Sequence, residues 1–374
     1  MISPTTALSK VFDVVIIGGG LSGVMVAHEL QKNLPSPNFS WNLLEARPVL
    51  GGRLANDDKG HRIDLGAAWL WPDFQPNMKR LIKSLEIPTF LQPDDPSSTR
   101  IDGGAVALVH TLSKALPSNN IRLNTPVTNC TLVEMADPTG EACSAPDGKT
   151  EKVIRLDTAD GPLLAKQVVV AVPPKLASKH IRFEPALSPA KTQAMKSSHT
   201  WMAGVTKVSL VFDEKFWTED ISNMGLPRHL PGPAFQVYDA STKDGSINAI
   251  TFFALVPPGS LAKTDNKVLG DQVASQIANV WNLFLGRGDL GVQVQKYKDV
   301  HVQHWPTQEY ISEDPNPVQI HPHPHPVGAL STTEWNGRLH FAGSESDRQY
   351  PGVMEGAVGA ALRVAQELHS NVKA

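Results

Sequence analysis

The stretch 12–53 constrains this chain more than any other. Phe12-Asp13-Val14-Val15-Ile16-Ile17 is a short apolar run, and Gly18-Gly19-Gly20-Leu21-Ser22-Gly23 follows without a break. Gly18, Gly20 and Gly23 therefore form G-x-G-x-x-G directly after a predicted strand. A helix runs on to about Leu34, where Pro35-Ser36-Pro37 stops it; Trp41-Asn42-Leu43-Leu44 is the next strand, and Glu45 ends it. In a dinucleotide-binding βαβ unit, the first glycine permits the tight turn and the second lets backbone approach a pyrophosphate. The third lets the helix pack closely on the strand. The helix N-terminus offers amide donors and the positive end of its dipole to phosphates. Glu45 stands 22 residues beyond Gly23, where an acid accepts from a ribose hydroxyl.

A chain of 374 residues has room for two domains. No segment reaches the apolar length of a membrane helix. The formal charge of −3 argues against a nucleic-acid partner. Cys130 and Cys143 are the two cysteines, too few for a disulfide framework and suited to a reducing compartment. Residues 1–10 lack the basic start and apolar core of a signal peptide. The expectation is a cytoplasmic protein with no membrane attachment.

Beyond Glu45 come Arg47, Gly51-Gly52-Arg53 and then Asp64-Leu65-Gly66-Ala67-Ala68-Trp69, a small-residue turn ending in an aromatic. Residues 77–86 carry a helical stripe of Met78, Leu81, Ile82 and Leu85. The polar, proline-rich 92–99 reads as a break and a crossover between domains. A helix is expected over 103–116, a solvated hairpin tip over 134–150, and a buried parallel strand over 168–172, where a continuous valine-rich run meets Pro173-Pro174. Longer strands are expected at 205–212, 235–238, 249–256 and 296–305, with an amphipathic helix at 266–285 and a last helix over 352–369.

Three blocks together resemble the flavin-containing amine oxidase family, which includes the monoamine and polyamine oxidases. They are Gly18 to Arg53 with Asp64 to Trp69; Val168 to Pro174 continuing to Phe183 and Pro185; and Phe341-Ala342-Gly343-Ser344-Glu345-Ser346 with Gly352 to Ala357. The resemblance implies an α/β protein with a discontinuous Rossmann-type FAD-binding domain (11–78, 98–174 and 328–372). The remaining 79–97 and 175–327 would form a substrate domain of mixed β-sheet with helices. It implies an oxidoreductase that oxidises an amine C–N bond, passes hydride to flavin N5 and is reoxidised by O2. The products would be hydrogen peroxide and an imine that hydrolyses.

The same resemblance implies cofactor contacts from Gly18, Gly20, Ser22, Gly23, Glu45, Ala46, Gly52, Val127 and Gly343. Arg47 and Arg53 would flank the pyrophosphate, because guanidinium forks suit phosphate oxygens. Gly66, Ala67, Ala68 and Trp69 would lie near the isoalloxazine, and Glu345 near the sugar-phosphate portion. Read from its surroundings alone, Glu345 is a solvent-exposed loop carboxylate. If Val353 and Met354 open the last helix, their amides and its positive dipole end would favour negative charge on the flavin pyrimidine edge. Lys207 resembles the family lysine that holds a water against flavin N5, which makes it the catalytic candidate. Alternation points elsewhere: Val208, Leu210 and Phe212 form the apolar face, and Lys207 reads as an exposed strand lysine.

The departures from the family concern the substrate. Only residues 87–102 fill the gap where the family carries a long helical insertion, so the site is expected to be open or covered by a partner chain in a homodimer. The two-tyrosine cage is not reproduced: Val353 stands at one position, and Ile311 to Pro315 carry no aromatic at the other. Trp305, Tyr310, Tyr350 or Trp69 would have to supply an aromatic wall. Neither cysteine lies where some members attach the flavin, so FAD is expected to be non-covalent. His321-Pro322-His323-Pro324-His325-Pro326 is an extended, stiff run; a surface loop, or a loop at the site entrance that brings His323 and His325 to substrate, are its readings, and no metal site is expected. Two other functions stay open: an FAD-dependent amino-acid oxidase or C–C desaturase, and a flavin-binding scaffold without turnover.

Overall fold

A computed structural model describes residues 10–93, 95–135, 151–218, 224–227, 230–261, 264–312 and 322–373. The chain divides into two compact units, Met1–Gly52 with Thr111–His199 and Pro324–Ala374, and Arg53–His110 with Thr200–His323. The boundaries expected at 78 and 97 thus both fall inside the second unit.

The first unit is built on a sheet of eight strands, ordered Arg182–Glu184, Val127–Glu134, Lys152–Thr158, Gly161–Val170, Val11–Ile17, Trp41–Leu44 and Ile121–Arg122, with Leu339–Phe341 also paired to Gly161–Val170. Val11–Ile17 runs parallel to both neighbours, and Leu339–Phe341 runs parallel to residues 168–170. Val168, Val169 and Val170 therefore have a strand on each side and are fully buried. That is why their run shows no alternation. The strand begins earlier than the valines suggest, because Gly161–Ala165 forms an antiparallel hairpin with Lys152–Thr158. The tip expected at 134–150 lies almost wholly outside the described residues. The helix Leu21–Lys32 packs on the last helix, Met354–Lys373, so the two ends of the chain meet in one unit.

The second unit holds a five-stranded antiparallel sheet, ordered Met224–Gly225, Ala234–Asp239, Asn248–Ala254, Thr206–Phe212 and Asp299–His304. Helix Asn266–Leu285 covers one face. Asp265 caps its start by accepting from the Lys267 amide, and Gly286 ends it in the left-handed conformation. Val208, Leu210 and Phe212 pack on this helix with Val273, Ile277 and Trp281. Ile63 and Leu65 pack on the opposite face with Val211, Tyr238 and Phe253. The central strand Thr206–Phe212 is buried at every position.

The segment 92–99 is not a crossover. Asp95–Ile101 is a strand, paired antiparallel with Thr89–Gln92 and with Trp69–Leu70. Its polar composition misled because Ser98, Thr99 and Arg100 are buried and hydrogen-bonded rather than solvated. No helix among the described residues is long and apolar enough to cross a membrane.

Candidate functional site

In the first unit the glycine motif is held by backbone contacts that leave one face open. The Gly18 amide donates to Leu44 O at 2.8 Å, and the Gly51 amide donates to Gly19 O at 2.9 Å. Gly23 is a packing requirement: a Cβ there would lie 1.9 Å from Gly18 O. Gly20 differs, since an added Cβ would approach only Gly52 Cα, at 3.8 Å, which leaves a shallow cradle beside the helix N-terminus. Ser22 donates through its hydroxyl to the carbonyl of Ala342, tying the motif helix to the end of the Leu339–Phe341 strand.

Glu45 is buried. One carboxylate oxygen accepts from the Gly19 amide at 2.6 Å and the other from the Arg47 amide at 2.8 Å, so its position is set by the loops it would serve. Ala46 is half-buried beside it. Arg47 Nη1 donates to Gly52 O at 2.9 Å. Val127 is buried among Ile17, Leu44 and Val170. Glu345 is also buried, not exposed as its loop setting suggests, and accepts from the Ser344 hydroxyl at 3.0 Å. Gly343 opens that loop. The Val353 carbonyl accepts from the Ala357 amide, so Val353 caps the last helix and Met354 is its first residue. Tyr350 is half-buried in the turn before it, and His325 is exposed.

In the second unit Lys207 is buried, which corrects the exposed-lysine reading. Alternation failed here because the segment 63–65 covers the face that the pattern assigns to solvent. The three ammonium donors meet Gly66 O at 2.6 Å, Tyr238 Oη at 3.0 Å and Asp64 O at 3.1 Å. Three aromatic rings surround the charge: Phe253 at 4.9 Å, Tyr238 at 5.3 Å and Trp69 at 5.7 Å. Trp69 is fixed edge-on to Tyr238 and donates from its indole to Gln92. Gly66 passes so close to Arg53 that a Cβ would lie 2.1 Å from the Arg53 carbonyl. Ala67 is exposed, Ala68 buried and Arg53 half-buried.

A buried ion pair stands behind this lysine. Asp64 accepts from the Ala105 amide at 2.7 Å through one oxygen, and its other oxygen is 3.8 Å from Arg100 Nη2. Arg100 donates to the carbonyls of Ala240 and Ser241. Burial pushes the Lys207 ammonium well below its ordinary value, against the pull of Asp64 and with Arg100 adding to the push. Burial likewise pushes the Asp64 carboxyl up, opposed by Arg100, the Ala105 amide and Lys207. Trp305 is buried and donates to Leu65 O at 2.9 Å; Tyr310 is half-buried. His323 is exposed with its ring 5.1 Å from Trp201, and the run 322–327 has no regular structure, while His321 lies outside the described residues.

Comparison with known proteins decides the family. The model of the family described as flavin containing amine oxidoreductase matches residues 95–369, and that of an NAD(P)-binding Rossmann-like domain matches residues 16–85. The chain belongs to the flavin-containing amine oxidoreductase family. A probable flavin-containing monoamine oxidase A of Dictyostelium discoideum is 25% identical over 283 residues, covering 72% of this chain and 53% of that protein. The flavin-containing amine oxidase of Danio rerio is 28% identical over 214 residues, or 54% of this chain and 37% of its own. The chain thus spans about half, or less, of the length of these relatives. Cyclohexylamine oxidase from Brevibacterium oxydans IH-35A shares the fold with a TM-score of 0.72 at 17% identity, covering 98% of this chain and all of its own.

Within this family member, sequence reasoning missed Asp64, Arg100 and Tyr238 as parts of the lysine site. Asp64 opens a block that was singled out, and its spacing from the glycine turn was a usable signal. Arg100 and Tyr238 carried none, because each reaches the site by strand pairing with residues far away in sequence.

Proposed function

We propose that this protein is an FAD-dependent amine oxidase that acts on a small amine, with Lys207 as its catalytic residue. The observation that carries the reading is the buried Lys207, walled by Trp69, Tyr238 and Phe253 and anchored to the Asp64–Gly66 backbone, in a chain of this family. The residues of the first unit fit the cofactor. The cradle at Gly20 leaves space for a phosphate beside helix amides, and the carboxylate of Glu45 is pre-set at the end of its strand for a ribose hydroxyl. Gly18, Ser22, Gly23, Ala46, Arg47, Gly52, Val127, Gly343, Glu345, Val353 and Met354 of this unit would complete the holding set, without a covalent bond.

When bound, FAD supplies the redox chemistry, taking two electrons from the amine as its C–N bond becomes an imine and passing them to O2 to give hydrogen peroxide. The protein's part is to position and polarise. In its protonated form Lys207 would place a positive charge in a low-dielectric site and favour the anionic forms of reducing dioxygen. Its three donors already have acceptors, two backbone carbonyls and the Tyr238 hydroxyl, so a water held by Lys207 would displace one of them. Trp305 and Tyr310 are the aromatic side chains that the second unit offers this reading for the substrate.

The test is anaerobic bleaching of the purified yellow protein by primary, secondary and polyamines and by amino acids. Bleaching by an amine, with peroxide on admitting air, is the expected result. A protein that cannot be reconstituted with FAD would overturn the cofactor; bleaching by amino acids alone would overturn the amine. Bound flavin that no compound reduces would leave a scaffold.

A further inference from the structure

The second unit brings together two imidazoles and two carboxylates that the redox reading does not use. Asp57 and His61 stand on one tight loop, and Asp299 and His301 on the Asp299–His304 strand. His61 Nδ1 and His301 Nε2 are 2.9 Å apart. Asp57 Oδ1 lies 3.5 Å from His61 Nδ1, and Asp299 Oδ2 lies 3.6 Å from His301 Nε2. Asp57, His61 and His301 each offer one ligand atom, and the three lie within 4.8 Å of one another, with the Asp299 carboxylate beside His301.

Each group is oriented before any ion arrives. Asp57 is buried, and its carboxylate accepts from the amides of Lys59, His61 and Ile63 at 2.8–3.1 Å. The Lys59 and His61 amides take both acceptor positions of Oδ1, and Ile63 takes one of Oδ2, so the position left for a further partner is on Oδ2. His301 is buried on its strand, with Nδ1 3.5 Å from the exposed Asp58 carboxylate. That contact favours the tautomer with hydrogen on Nδ1, leaving the Nε2 lone pair aimed at His61. A carboxylate behind the far nitrogen of an imidazole is the usual support of a metal-bound histidine. His61 is partly exposed and gives access from solvent. Lys59 Nζ now neutralises Asp299, at 2.5 and 2.7 Å, and its side chain is exposed enough to swing away.

We propose that Asp57, His61 and His301 form a binding site for a first-row divalent cation of the zinc class, with the Asp299 carboxylate beside it, stapling the 57–61 loop to the Asp299–His304 strand. Two imidazole nitrogens with carboxylate oxygens make a donor set that suits zinc. Nitrogens about 2.0 Å from a tetrahedral ion stand about 3.3 Å apart, so the two nitrogens must part by about 0.4 Å and the rings turn until both lone pairs meet at the ion. The ion would occupy the space between them and replace one hydrogen bond.

The experiment uses tag-free, chelator-treated protein with its flavin in place, titrated with Zn2+. Bound zinc and the unfolding temperature are both recorded. The expected result is one tight equivalent and a higher unfolding temperature, because an ion that binds only the folded state stabilises it. His61 carries the mutational test, since it is not buried. H61Q should keep the wild-type spectrum and weaken zinc binding at least about tenfold, losing the thermal shift. The double variant H323Q/H325Q, in the His-Pro run, should bind zinc as wild type does. No stoichiometric zinc, unchanged binding in H61Q, or loss in H323Q/H325Q would each overturn the proposal.

Discussion

Replacing Arg100 with methionine removes the charge that faces Asp64 and leaves a similar volume. The Arg100 Nη2 to Asp64 Oδ2 distance is 3.8 Å, worth about 4 kcal/mol of attraction at an effective dielectric constant of about 20. Both groups are buried, so the loss is not screened by water. The carbonyls of Ala240 and Ser241 also lose their donors. Breaking a buried pair from one side costs about 3–5 kcal/mol, which corresponds to a fall of roughly 6–20 °C in the unfolding temperature of a unit this size. Adding Asp64→Asn removes the stranded charge, so D64N/R100M should be more stable than R100M alone. The pH dependence has a definite sign. Burial already raises the Asp64 carboxyl, and loss of Arg100 raises it further. A folded-state carboxyl above its unfolded value of about 3.9 contributes stability below that pH and loses it as pH rises. The deficit of R100M relative to D64N/R100M should widen between about pH 4 and pH 8, as read by fluorescence melting. Strict additivity of the two substitutions, or a deficit that shrinks with pH, would refute the buried-pair reasoning.

Lys207→Met should slow reoxidation of the reduced flavin by O2 by at least about tenfold while leaving anaerobic reduction much less affected, as stopped-flow absorbance can separate; equal effects on the two halves would remove the lysine from the oxygen reaction. Gly23→Ala places a methyl 1.9 Å from Gly18 O, and the helix must move away from the strand. The variant should lose flavin on gel filtration, and retention of a full complement would contradict the close-packing role. Lys191 is fully buried, donates to the carbonyls of Leu330 and Thr332 and sits 3.8 Å over the Phe341 ring. Burial pushes its ammonium down to about 7, with Glu334 opposing. Between that value and about 10.4 the unfolded chain binds the extra proton, so wild type gains stability with rising pH over this window. Lys191→Met should lack that gain, and parallel stability profiles from pH 7 to pH 10 would refute the assignment.

Local patterns carried far in the first unit and less far in the second. The glycine turn needs only neighbours in sequence to be recognised, and Val11 to Leu44 folds as strand, helix and strand. Helix 266–285 was likewise complete in its own periodicity and caps. By contrast, 92–99 looked like a linker because its polar residues are satisfied by partners elsewhere in the chain. Glu345 and Lys207 looked solvated for the same reason. A charge reads as surface unless what covers it is visible, and cover comes from the fold.

Sequence alone determined that this chain carries a Rossmann-like glycine turn and that its blocks resemble those of the flavin-containing amine oxidases. Those features depend on spacing along one strand, one turn and one helix. Only tertiary structure decided what surrounds Lys207. Asp64, Arg100 and Tyr238 come from three separate strands and loops, and the covering segment 63–65 turns an outward-facing strand position into a buried one. Burial, not residue type, displaces the protonation of Lys207 and Asp64 from their ordinary values. Desolvation is a property of the packed whole, and no pattern of neighbours along the chain encodes it.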